Sequence, residues 1–198
     1  MGIIANALSF MGDSKKLPIA VVLVLLPTLA FVLSLVISGF PLDLFRIGLA
    51  VVNDLIFWVV ITAVLFVLLK VIKGKGNYEL VSILNRTSLV FVLNFLLSIA
   101  FLVVLFLMVP GLFSVLSTAY SQEYTFLELS SSIAEIVPSF DAIFPLLILF
   151  AVILGIIVIA GIYLIYRIIA DYKQGSKLKN FFILLLFVVI MFLINFFL

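Results

Sequence analysis

Three polar side chains, Asp54, Asn94 and Ser98, fall in or beside long apolar runs of this 198-residue chain. Polar and ionisable groups at membrane depth are costly and usually functional. A carboxylate, an amide and a hydroxyl in such positions either line a path for a solute or bond one helix to another, at about 0.6 kcal/mol apiece. Counting outward from Lys70 at about 1.5 Å per residue puts Asp54 about 24 Å away, near the far boundary of a span. There it would cap the helix beside Asn53 or pair with Arg46. Asn94 lies deeper in the next span, with Ser98 one turn beyond it on the same face.

The residues that are missing narrow the chemistry further. Neither His nor Cys occurs, which removes thiolate nucleophiles, disulfides, iron–sulfur ligation, Cys-type zinc sites, imidazole general bases and H-E-x-x-H proteolysis. No G-x-S-x-G or S-x-x-K constellation lies within an apolar run, and Asp54 has no facing carboxylate with which to form an aspartyl dyad. Lys73-Gly74-Lys75-Gly76 lacks the spacing of a phosphate-cradling loop, so Gly74 and Gly76 read as a tight turn between helices. Glu123, Glu128, Glu135 and Asp141 are too widely spaced for a calcium loop, which needs carboxylates at alternate positions, and read as a solvated face. The expectation is a protein with no catalytic, cofactor-binding or metal site.

With 67% apolar residues, 10% charged residues and a mean hydropathy of +1.54, the chain has too little polar surface for a soluble domain, in which about 25% of residues are charged. It reads as an all-α integral membrane protein, a single membrane domain over residues 1–198 forming a five-transmembrane-helix bundle. A span needs roughly 20 apolar residues, and the runs fall at 17–38, 54–72, 88–109, 142–166 and 181–198, the third stopping at Pro110-Gly111. Ten of the eleven bases fall on one side of these spans and Arg46 alone on the other, which predicts a cytoplasmic amino terminus and an outside carboxyl terminus. Asn85-Arg86-Thr87 matches a glycosylation acceptor but is then cytoplasmic and unmodified. The first apolar run exceeds a signal-peptide core and is read as an anchor helix.

Two segments read as helices lying along the membrane. Residues 3–12 carry Ile4, Ala7, Leu8 and Met11 at helical spacing ahead of Lys15 and Lys16, and either bind the interface or dock on the bundle. Residues 126–137 follow a capping box, Thr125 with Glu128, and carry Phe126, Leu129, Ile133 and Val137 on one face until Pro138 ends the run. Pro27 frees the carbonyl of Leu23 and kinks the first span. Ala30, Ser34 and Ser38, and likewise Ala151 with Gly155, are small-residue stripes suited to close helix contact within the bundle or between protomers.

The turn KVIKGKGNYELVSILNRTSLVF, with Gly74, Lys75, Gly76, Asn77 and Tyr78 leading into the third span, and Ser176-Lys177 leading into the last, resembles the Ypt-interacting protein, or Yip-domain, membrane family. The resemblance covers roughly residues 10–198 and implies a short, prokaryote-like member that organises membrane or partner proteins. The chain departs from the family at Thr87-Ser88-Leu89-Val90, where a Pro is common, and at Asp43-Leu44-Phe45, the counterpart of an Asp-Leu-Tyr-Gly-Pro element. The long acidic and aromatic amino-terminal region of eukaryotic members is reduced here to about sixteen residues. Small-GTPase binding is therefore not carried over.

The functional expectation is a non-enzymatic, multi-pass scaffold of the Yip-domain type that organises membrane or binds partners through helix contacts. Its partners would be the lipid bilayer and other membrane proteins or further copies of itself, with no nucleic acid. The alternative is a small transporter or permease subunit using the Pro27 kink, Asn94 and Asp54. Its membrane would be the cell membrane in a prokaryote.

Overall fold

The computed structural model describes residues 2–74, 79–109, 111–122, 125–136, 140–172 and 176–197, and the regular structure among them is helical throughout. Gly76 and Tyr78 of the turn, and Val137 and Pro138 after the outer helix, lie outside the described residues. Ten α-helices follow in chain order: α1 (Gly2–Met11), α2 (Leu17–Val24), α3 (Leu26–Ile37), α4 (Leu44–Lys73), α5 (Leu80–Thr87), α6 (Leu89–Met108), α7 (Leu112–Gln122), α8 (Phe126–Ile136), α9 (Phe140–Asp171) and α10 (Lys177–Phe197). Five stretches are long and apolar enough to cross a membrane: Ser14–Ile37, Leu44–Lys73, Leu80–Met108, Ile143–Asp171 and Lys177–Ile194. The first and third of these are discontinuous, the first made of α2 and α3 and the third of α5 and α6.

Local chemistry accounts for the ends. Asp13 caps a short 3-10 turn, Ser14–Lys16, by accepting from the Lys15 amide. Helix α3 stops in a Schellman arrangement, with Phe40 N–H on Leu35 O, Gly39 N–H on Val36 O, and Gly39 at φ 69°. Asp43 then caps α4 through the Phe45 and Arg46 amides, and Gly74 at φ 78° ends it. Helix α4 thus begins ten residues before Asp54. A carboxylate in an apolar run reads as a boundary, but here it lies inside the helix.

α6 packs against α3 and α9, while α10 packs against α4 and α9. The best-buried side chains, among them Leu65, Leu69, Ile83, Phe91, Ile168, Ile169 and Ile183, concentrate toward the end of the bundle that carries most of the bases. Leu8 and Met11 of α1 join this core, whereas Ile3 and Phe10 are exposed. At the opposite, acidic end, α7 and α8 pack on each other. The expected capping box forms there, since Glu128 Oε2 accepts from the Thr125 amide at 2.8 Å and hydroxyl at 2.7 Å. These bonds hold the Glu128 carboxyl below the usual glutamate range. Helix α7 has no counterpart in the hydropathy reading.

The small-residue stripes behave differently from each other. Ala30 and Ser38 are buried, and Ser34 and Ser38 donate back to carbonyls of their own helix. Ala151 is exposed and nothing stands within 4 Å of where a Gly155 Cβ would be. No helix of the described bundle therefore covers the Ala151–Gly155 face.

Candidate functional site

Asp54 reaches across to the break between α2 and α3. Pro27 has no N–H, and Leu25, at the helix junction, offers no side-chain cap, so the α3 amino terminus needs an acceptor from elsewhere. Asp54 Oδ2 supplies it, accepting from the Thr28 amide at 3.1 Å and the Thr28 hydroxyl at 2.6 Å. A carboxylate at a helix amino terminus also opposes the helix dipole. Asp54 accordingly neither caps its own helix nor pairs with Arg46, which bonds Asp43 at 3.3 Å within its own turn. The reason is competition between sites: Asp43 stands at the true start of α4, and the Pro27 break presents two buried donors to Asp54.

One and two turns along α4 from Asp54, Trp58 and Thr62 serve the second break. Trp58 Nε1 donates to Leu84 O at 2.8 Å, and the Thr62 and Thr87 hydroxyls lie 2.8 Å apart. Thr87 donates to Leu84 O and Ser88 to Asn85 O. The carbonyls freed where α5 gives way to α6 are thus satisfied among residues that are almost wholly buried. Sequence reading by charge alone missed Trp58 and Thr62. Their signal is the spacing of Asp54, Trp58 and Thr62 at i, i+4 and i+8, one face of an otherwise apolar helix.

Lys73 completes the set at the basic end. Its ammonium donates to Ile169 O at 2.5 Å and Tyr172 O at 2.7 Å, capping the carboxyl terminus of α9. Nearby, Arg86 pairs with Asp171 at 2.9 Å and lies over the Tyr172 ring. Burial pushes the Tyr172 phenol up, against the opposing pull of the Ser82 hydrogen bond and of Arg86. The Asn85 amide donates to Asp13 O, and Asn85 is fully buried, so in this fold it is closed to glycosylation. The Arg86 guanidinium also fills the space beside Gly12, where a Cβ would lie 2.7 Å from its nearest nitrogen.

Asn94 and Ser98 are not drawn into this network. Ser98 donates to the Asn94 backbone carbonyl at 2.9 Å, and among the described residues the Asn94 side chain has no hydrogen-bond partner. Asn94 faces a cavity of about 260 Å³ between α4, α6, α9 and α10. Ser98, Ser34 and Pro27 border a separate lateral groove of about 460 Å³ between α3, α6 and α9, whose walls are otherwise apolar, with Phe31, Phe101 and Phe150 among them. Gly74 acts as a helix stop, with nothing within 4 Å of a Cβ there. Among the described residues no group of three acidic side chains converges as a metal site would require. The geometry can therefore hold helices in broken conformations and admit apolar bodies from the side. No family model matches this chain, and it is similar to no curated protein and to no solved structure with which it was compared.

Proposed function

We propose that this chain is a non-catalytic, multi-pass membrane scaffold that organises lipids or other membrane proteins along its lateral faces. The observation that carries this reading is the commitment of the polar side chains inside the bundle. Asp54, Trp58 and Lys73 each satisfy backbone groups of a neighbouring helix and Thr62 meets the Thr87 hydroxyl, and the lateral groove beside them is walled mainly by apolar side chains. A solute path needs uncommitted polar groups along its length. The basic end, carrying Lys15, Lys16, Lys70 and Arg167, is read as cytoplasmic. α1 is read as a helix at that surface, docked through Leu8 and Met11. The Yip-domain resemblance adds no support, because no family model matches the chain.

A transporter or permease subunit is the second reading, favoured by two discontinuous spans and the free Asn94 amide. The absence of Cys from the chain permits a direct test. In single-cysteine proteins carrying Asn94→Cys or Ser98→Cys, a scaffold leaves the thiol unlabelled by a membrane-impermeant maleimide applied to either face. Ser176→Cys should label from the cytoplasmic face alone. Labelling of Asn94→Cys from one face would sink the scaffold reading in favour of a water-filled path.

A further inference from the structure

The cavity beside Asn94 has a composition and a shape that together specify an occupant. Its walls include Phe57 and Ile61 of α4, Gly161 of α9 and Phe187 of α10, and among the described residues that line it Asn94 is the one with a hydrogen-bonding side chain. A free amide among apolar walls is unfavourable unless something bonds it. Asparagines in membrane helices often bond a neighbouring helix, but α4, α9 and α10 already line this pocket, and its volume of about 260 Å³ has no room for a helix about 10 Å across from a second copy of the chain. The lining runs from Val90 to Asn94 on α6, Phe57 to Ile61 on α4 and Gly161 to Ile165 on α9. Each stretch rises about 6 Å, and Leu184 to Met191 on α10 about 10 Å. That height suits a ring and is too short for an extended acyl chain. The wall opens toward the membrane between α9 and α10, where Ile162 and Val188 are each 45% exposed while Ile61 and Phe187 are buried.

We propose that this cavity binds an uncharged, membrane-soluble ring compound bearing a carbonyl, of the benzoquinone kind. The Asn94 amide donates to the carbonyl oxygen, the ring packs against Phe57 and Phe187, and the apolar tail leaves between α9 and α10. The inference goes beyond the scaffold reading and involves no electron transfer by the protein.

Trp58, the single tryptophan, neighbours Phe57 on α4 and reports on the site. The test is a titration of the full chain in phosphatidylcholine nanodiscs with decylubiquinone, read by Trp58 fluorescence. Wild type should show saturable quenching above the linear background of quinone dissolved in the bilayer. Asn94→Leu, which puts an apolar side chain into an apolar cavity, should weaken the apparent affinity at least fivefold. Gly161→Leu should do the same by filling the space, since a Cβ there meets only Leu93 at 3.8 Å. Ser98→Ala should match wild type, and decylbenzene, which lacks the carbonyl, should fail to compete. Linear quenching identical in wild type and Asn94→Leu, or equal competition by decylbenzene, would overturn the proposal and leave water as the amide's partner.

Discussion

Asp54 on the second span caps the broken first span in place of a local residue, one carboxylate oxygen accepting both the amide and the hydroxyl of Thr28. Thr28 is 6% exposed, so removing the acceptor strands two buried donors. Asp54→Leu should destabilise the bundle by about 2–3 kcal/mol, whereas Asp54→Asn, which keeps an acceptor but loses the charge, should cost about 1 kcal/mol. Unfolding in a detergent titration followed by Trp58 emission measures both. A Thr28→Val partner in a double-mutant cycle should show coupling, and additive effects would mean that the two residues do not act together.

The Trp58 indole holds Leu84 O at the second break. Trp58→Phe keeps most of the ring and deletes the donor, and should cost about 1–2 kcal/mol. Replacing Thr62 and Thr87 together by Val should cost less than the sum of the single changes, because the bond between the two hydroxyls is already lost in either one. Thermal unfolding read by circular dichroism gives the comparison.

Gly12 is the point at which α1 meets Arg86. Gly12→Ala would bring a methyl to within 2.7 Å of a guanidinium that Asp171 and the Tyr172 ring already hold, and overpacking of this kind costs about 1–3 kcal/mol. Amide exchange over residues 2–11 should speed up. Gly48→Ala, with nothing within 4 Å, should instead stabilise α4 by up to about 1 kcal/mol. Equal exchange in wild type and Gly12→Ala would show that α1 is not held through this contact.

The α8 cap should respond to pH in a defined direction. Glu128 has its carboxyl lowered by the Thr125 bonds, so the folded form favours the ionised group. Its contribution is full above the ordinary glutamate value of about 4.3 and disappears as pH falls through the lower folded value. Protection of the Leu129 amide, corrected for intrinsic exchange, should hold at pH 6 and decline below about pH 4. In Glu128→Gln the decline should vanish.

Hydropathy made the five long apolar segments legible, because a membrane span is a bulk property of about twenty residues. It misplaced the start of α4, since a charge inside an apolar run resembles an end until its partner is known, and Thr28 is 26 positions away in sequence. The Pro27 break was readable from a missing N–H. The break at Ser88 was not, because α5 turns polar residues inward: Ser82, Asn85 and Thr87 are buried while Leu80 and Val81 are exposed. Helix α7 escaped notice through its Ser and Thr content, as in Ser114, Ser117, Thr118 and Ser121. Asn94 was legible as an oddity, but its cavity depends on four helices meeting.

Lys73 fastens α4 to the last carbonyls of α9, and Arg86 fastens α5 to the same place. The fourth span is therefore moored at one end, and its most apolar stretch carries no buried residue. A helix of 29 residues is about 43 Å long. Its polar bonds lie at the basic end, and along the rest of that length it is held by apolar packing on α6 and α10. Beside Phe101 and Phe150 the width of the groove is therefore set by the fit of ring against ring.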